Sequence, residues 1–241
     1  MDVSIVIISY NYANYILECI ESCLNQEKCN VNYEIIVVDD GSTDNTQEIL
    51  KNINYKNLKK ITIKNSGIEE ASNTGFQTSV GKYIVRVDAD DLLLPNYLKI
   101  VSKSFDVKYD FFYSNYHIIN SKGLTTKKVN LPKFNEKEIF ERGDFLATGT
   151  MYKSNILKVH GYYNSDKKNS GLENYEFILK LITMGSIGYR IPFNLFAYRR
   201  HSGNISTMKR DDIIKNGKDM FFKNKYGEFS SNMNHPYNLR L

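Results

Sequence analysis

Two carboxylate clusters stand out in the sequence, Asp39-Asp40-Gly41-Ser42 and Asp88-Ala89-Asp90-Asp91, each directly after a short apolar run. Helix capping accounts for Ser42 to Asp44, because Asp and Ser beside a helix start satisfy free backbone amides. It does not account for the second cluster. Three carboxylates within four residues repel one another unless a cation or hydrogen-bond donors offset the charge. A divalent ion bridging to a diphosphate is the economical explanation, since magnesium uses one or two carboxylates plus phosphate oxygens. A solvated acidic turn is the alternative.

The elements around these clusters alternate. Val3 to Ile8 reads as a buried strand, and Tyr15 to Gln26 as a helix with Ile16, Ile20, Cys23 and Leu24 on one face. Tyr33 to Val38 is a second strand, and Asp44 with Gln47 marks the next helix start. Lys60 to Ile63 is a third strand, followed by a helix carrying Ile68, Ala71, Phe76 and Val80 that Gly81 caps. Lys82 to Val87 is a fourth strand. The pattern predicts an α/β fold, a mainly parallel sheet flanked by helices. Ligands sit at the carboxyl ends of such strands, where both acidic clusters fall.

Beyond residue 92 the pattern is less regular. Pro95 starts a helix, Phe111 to Ile119 forms a strand, and residues 120–147 are loop-rich with a short helix at Glu136 to Arg142. Gly171 to Met184 is a helix, and the tail after Ser206 reads as one more. Thr148-Gly149-Thr150 either lines a pocket or forms a plain turn, and the loop from Asn120 to Glu141 is placed to cover such a pocket.

Composition sets outer limits. A 41% hydrophobic and 24% charged chain supports a packed core, and no apolar run reaches membrane-spanning length. No secretory signal is visible. The net charge of +5 suits nucleotide phosphates or an anionic membrane surface but is no nucleic-acid signature. Cys19, Cys23 and Cys29 lack a fourth zinc ligand and read as reduced thiols, which points to the cytoplasm. A dinucleotide oxidoreductase is disfavoured, because Ser9-Tyr-Asn-Tyr-Ala13 is no glycine-rich phosphate loop.

Ser4-Ile-Val-Ile-Ile-Ser-Tyr-Asn11, Val38-Asp-Asp-Gly-Ser-Thr-Asp44 and Val87-Asp-Ala-Asp-Asp91 together resemble the family 2 glycosyltransferases. Asn65-Ser-Gly67, Asn73-Thr-Gly75 and Gly81-Lys-Tyr83 fall between them in the same order. The resemblance implies a single GT-A (Rossmann-like) domain over residues 1–206, with a nucleotide-binding half at 1–91, an acceptor-binding half at 92–206 and a helical tail at 207–241. It implies an inverting transferase that uses a nucleotide-sugar donor, UDP-sugar favoured, and Mg²⁺ or Mn²⁺. The acceptor it implies is a saccharide or a lipid-linked sugar, with peripheral association at the inner face of a membrane allowed.

Residue roles follow from the same resemblance. Ser9, Tyr10, Asn11, Asp39, Asp40, Asn73, Asp88, Asp90 and Arg199 are expected around the nucleotide. Tyr10 lies against the base, Asp40 accepts its imide proton, and Asp39 supports the turn. Asp90 contacts the ribose or the metal, Asp91 ligates the metal, and Asp88 braces the loop. Tyr198-Arg-Arg-His201-Ser-Gly-Asn204-Ile-Ser206 resembles the closing pattern of the family. There His201 serves as a metal ligand or phosphate contact, and Arg199 or Arg200 offsets pyrophosphate charge. His117, His160 and His235 have no such context.

One position departs from the pattern. The family places an Asp base after a Glu at a helix start, and this chain reads Gly171-Leu-Glu-Asn-Tyr-Glu-Phe177. Asn174 stands at the base position, and an amide cannot take the proton. Glu173 is then the base; or Asn174 replaces an aspartate by design; or the chain binds nucleotide-sugar without turnover. Glu176 turns away on the helix.

Overall fold

A computed structural model of the chain describes residues 1–105 and 108–230. It opens with β1 (Val3–Ser9), α1 (Ile16–Leu24), β2 (Tyr33–Asp39), α2 (Thr46–Asn52), β3 (Leu58–Thr62), α3 (Ile68–Thr78) and β4 (Tyr83–Asp88). These strands run parallel, β1 pairing with both β2 and β4, and β2 with β3. The continuous apolar run of β1 has a direct cause. Val6 and Ile8 pack on the face that α3 covers, with Ala71 and Phe76. Ile5 and Ile7 pack on the opposite face, with Ile16 and Ile20 of α1. Full burial of each such side chain stabilises the fold by about 1.5–3 kcal/mol.

The second half follows with β5 (Leu92–Leu93), α4 (Tyr97–Val101), β6 (Phe111–Ile119), β7 (Thr125–Val129), α5 (Glu136–Arg142), β8 (Met151–Lys153) and α6 (Ser154–His160). It ends with α7 (Glu173–Thr183), β9 (Gly188–Arg199), α8 (Ile205–Met208) and α9 (Arg210–Asn224). The sheet order is β3-β2-β1-β4-β8-β6-β9-β5, with β7 on β6. Beyond β4 the sheet is mixed. β8 runs antiparallel to β4 and β6, and β5 antiparallel to β9, whereas β6 and β9 are parallel. The α/β architecture with helices on both faces is as the alternation predicts.

Several local expectations are corrected. Gly81 does not cap α3, which ends at Thr78 with Ser79 beyond it. Gly81 is instead where the chain crosses β1. A Cβ there would lie 2.5 Å from Ser4 N and 2.7 Å from Val3 C, both backbone atoms. Gly81→Ala is therefore expected to destabilise the protein by about 1–3 kcal/mol, read as a lower urea midpoint; an unchanged midpoint would refute the close crossing. The Asp44–Gln47 box does not form either: Asp44 Oδ1 accepts from Thr46 N–H, but the Gln47 amide reaches the Ser42 carbonyl. The tail is two helices, and Ile213 and Phe221 of α9 share the core of α7. His235 lies outside the described residues.

Candidate active site

A cavity of about 660 Å³ opens at the carboxyl ends of β1, β2 and β4. Three loops are locked together on one side of it. Asn11 takes a left-handed backbone (φ 60°), which aims its side-chain oxygen at the next loop. That oxygen accepts from Thr43 N–H at 2.7 Å and Asp44 N–H at 3.3 Å, while Asn11 N–H donates to the Ser42 hydroxyl at 2.8 Å. Asp39 is fully buried and accepts from the Ser42 hydroxyl and amide, so it braces the turn as expected. Asp40 accepts from Ser66 N–H at 2.6 Å and Gly67 N–H at 2.9 Å, fixing the loop after β3. Tyr10, Asn11 and Asp40 all line the cavity, and the Tyr10 ring stands at its exposed rim.

Ser9 and Asn73 do not reach it. Ser9 is fully buried, with its hydroxyl unpartnered among the described residues. Asn73 exchanges two 2.9 Å hydrogen bonds with the backbone of Tyr163, so its role here is to tie α3 to the chain before α7.

The acidic cluster divides. Asp88 and Asp90 line the cavity; Asp91 does not. Asp90 Oδ2 accepts from Asn204 Nδ2 at 3.1 Å and lies 3.0 Å from His201 Nε2. His201 Nδ1 accepts from Gly203 N–H, which leaves the proton on Nε2 to face Asp90. Asp91 lies behind, fully buried, with Oδ1 accepting from Arg199 N–H at 2.7 Å and Oδ2 unpartnered among the described residues. Burial raises the Asp90 and Asp91 carboxyls above the usual range, and repulsion from Asp88 adds to it at both. Arg199 is likewise structural in its placement. Its guanidinium is buried, donates to the Asp90 carbonyl and to Glu18, and lies 4.9 Å over the Tyr15 ring. The metal and diphosphate contacts expected of Asp91 and Arg199 are thus displaced by backbone and core contacts.

The cavity residues fit a divalent ion that is completed by substrate. Asp90 Oδ2 and His201 Nε2, 3.0 Å apart, would be the protein's two ligands, with His201 giving up its Nε2 proton when an ion binds. Among the described residues no three His, Cys, Asp or Glu side chains form a full ligand set. Phosphate oxygens of a substrate would have to supply the remainder, as they commonly do for magnesium.

On the other side of the cavity Glu173 and Asn174 begin α7, and both line it. Arg86, buried in β4, joins the two sides. Its Nη2 donates to Asp88 Oδ1 and its Nη1 to Glu173 Oε1, each at 2.7 Å. Burial raises the Glu173 carboxyl above its ordinary range, with Arg86 opposing the rise. Asn174 is saturated. Its oxygen accepts from the hydroxyls of Tyr152 and Tyr163, both at 2.7 Å, and its amide donates to the carbonyls of Phe145 (3.0 Å) and Leu146 (2.9 Å). Glu69 accepts from Asn169 and Ser170 N–H and sets the loop that delivers α7. Thr148 is a brace rather than a lining residue, accepting from Asp88 N–H. Glu176 bonds Asn164 outside the site, and His117 and His160 line no part of it.

Sequence reasoning missed Arg86, Tyr152 and Tyr163, and it quoted Asn204 within the closing pattern without giving it a role. Of the three missed, Arg86 alone gave a signal: a lone cation in the otherwise apolar run of β4 needs a buried counter-charge.

Comparison with known proteins places this geometry. The sequence model of glycosyl transferase family 2 matches residues 4–162. A chondroitin synthase of Pasteurella multocida is 32% identical over 226 residues, covering 89% of this chain and 22% of that protein. A hyaluronan synthase of Pasteurella multocida is 32% identical over 219 residues, covering 86% and 21%. The chain thus spans about a fifth of the length of these relatives. Among solved structures, S. aureus TarS in complex with UDP-GlcNAc superposes with a TM-score of 0.74 at 21% identity, covering 92% of this chain and 66% of that one. The mannosyltransferase PcManGT from Pyrobaculum calidifontis, in complex with GDP-Man and Mn²⁺, gives 0.71 at 19% identity, covering 92% and 64%. Their likeness is one of fold. The family match spans well over half of the chain and includes both acidic clusters, and the sheet is that of GT-A enzymes: the chain belongs to glycosyl transferase family 2.

Proposed function

We propose that the chain catalyses inverting transfer of a hexosyl or N-acetylhexosaminyl group from a nucleotide-diphosphate donor, UDP-sugar favoured, to a hydroxyl of a glycan or lipid-linked acceptor. One observation carries the reading. Tyr10, Asp40, Asp88, Asp90, His201 and Glu173 all line a single cavity, and we assign the first two to the base, the next three to the diphosphate and Glu173 to the acceptor. The synthases of chondroitin and hyaluronan among its relatives support a polysaccharide product, and UDP-GlcNAc on TarS supports the donor class. We propose the cytoplasm as the site of the reaction, at the inner face of a membrane where the acceptor is lipid-linked. No helix among the described residues is long and apolar enough to cross a membrane.

In this reading Tyr10 lies against the nucleobase and Asp40 accepts its imide N–H. Asp90 and His201, with Asp88 beside them, would hold Mg²⁺ or Mn²⁺. When bound, that ion supplies charge neutralisation at the departing diphosphate. Glu173 takes the proton of the acceptor hydroxyl as its oxygen bonds the anomeric carbon from the face opposite the leaving diphosphate, which inverts that centre. The upward shift of Glu173 makes it a stronger base, while its bond to Arg86 fixes its direction.

Donor binding is tested by thermal unfolding with UDP-sugars and Mn²⁺. A UDP-sugar at a hundred times its dissociation constant raises stability by about 2.7 kcal/mol. No shift with any nucleotide sugar would overturn the proposal.

The amide at Asn174 bears on whether it stands in for a lost base. An Asp there would turn a carboxylate oxygen toward the Phe145 and Leu146 carbonyls and remove both of their donors. Asn174→Asp is therefore expected to cost about 2–5 kcal/mol of stability, given about 1–3 for each unpaired buried group, and to leave turnover no higher. A rise in turnover of a hundredfold or so would instead restore position 174 as the site of the base.

A further inference from the structure

A second cavity of about 820 Å³ lies against the first, and the two share the wall Asp144, Phe145, Leu146, Tyr198 and Ser206. Its cover is the segment from β7 to α5, where the sequence placed a covering loop. Two features set its chemistry. Five basic side chains line it, Lys127, Lys128, Arg142, Arg200 and Arg210, against the carboxyls of Glu138 and Asp144. Among the described residues Lys128, Arg142 and Arg200 form no ion pair, and the Arg142 Nε is buried with no hydrogen-bond partner. The contrast with Arg86 and Arg199, each tied to a carboxylate, is plain. The floor, by comparison, is aromatic. Tyr116 and Phe196 stack at 5.0 Å and 16°, with Tyr198 edge-on to Tyr116.

Lys128, Arg142 and Arg200, without an ion pair among the described residues and set above an aromatic floor, call for a ligand with an apolar ring face and an anionic oxygen group. We propose that this second cavity binds a saccharide bearing a negative charge, a uronate or a sugar phosphate, and presents its hydroxyl across the shared wall to the first cavity. The proposal rests on the transferase reading for the identity of this ligand as the acceptor. The site itself stands on the cavity and its charges. The volume falls within the range of ordinary ligand pockets, about 300–1,000 Å³.

Calorimetry on the full chain tests it, with UDP and Mn²⁺ present to fill the first cavity. The probes are a hyaluronan tetrasaccharide against neutral maltotetraose, and glucose 6-phosphate against glucose. At least one anionic probe is expected to bind about tenfold tighter than its neutral match, the effect of a hydrogen bond to a charged group. The doubly substituted K128Q/R200Q chain, altered at two exposed positions, is expected to lose that preference while keeping its melting temperature. Preference for the tetrasaccharide assigns a uronate, and preference for glucose 6-phosphate assigns a phosphate. Equal binding of charged and neutral probes overturns the proposal, and so does a preference that survives in K128Q/R200Q. Failure of UDP itself to bind, seen in the preceding titration, would count against the donor reading and leave the probe comparison intact.

Discussion

Glu173→Gln is expected to lower sugar transfer by about a hundredfold to ten-thousandfold, the usual contribution of a general base. Glutamine keeps an oxygen for Arg86 Nη1, so the fold and the donor site should persist. Steady-state kinetics should then show the loss in kcat, with donor affinity nearly unchanged. The pH profile gives a second signature. Glu173 must be ionised to act, and burial raises its pKa, so activity should fall on the acid side at a pH above the ordinary carboxylate range. That limb should vanish in the variant. A variant with full activity and the same acid limb would place the base elsewhere, and a wild-type chain that binds donor but never transfers would make it a nucleotide-sugar binder.

Asp90→Asn should have the next largest effect. The metal reading gives Asp90 and His201 the ion, and metal assistance amounts to several kcal/mol, so kcat should fall by about a thousandfold. Mn²⁺ titration followed by electron paramagnetic resonance should show weakened binding in the presence of UDP. Asp91→Asn supplies the contrast, because Asp91 faces Arg199 N–H in the interior and not the cavity. It should lower metal affinity far less than Asp90→Asn does, since asparagine keeps an oxygen for Arg199 N–H. The reverse ranking would return the ion to Asp91 and refute the division of the cluster.

What the sequence showed and hid follows from the distances over which each feature is decided. β1, β2 and β6 were legible because buried strands of apolar, β-branched and aromatic residues declare themselves locally. β9 was hidden. Pro192 lies within it, where the register with β6 slips between Ser114 and Asn115, and proline in a run argues against a strand unless it sits at such an irregularity. Both acidic clusters and the α7 start were legible from residue type, but their division was not. Whether Asp90 or Asp91 faces the cavity depends on Arg199 and Asn204, more than a hundred residues away in the chain. The saturation of Asn174 depends on Tyr152, Tyr163 and two carbonyls, none of which marks itself in sequence. The second cavity was legible only as a loop in a suitable place.

The sheet order also imposes a timetable on a chain made from its N-terminus. β5 follows β4 at once, yet its partner in the sheet is β9, a strand that ends at Arg199. His201 comes later still, 111 residues after the Asp90 it faces. A nascent chain that has formed β1 to β4 therefore carries three neighbouring carboxylates with neither their imidazole nor the Asn204 amide. Ribosomes add about 5–20 residues per second, so that state lasts several seconds. Throughout it the first four strands hold these carboxylates without the side chains that face them, and the site proposed for the donor is complete only when β9 has paired with β6 and brought His201 and Asn204 to Asp90.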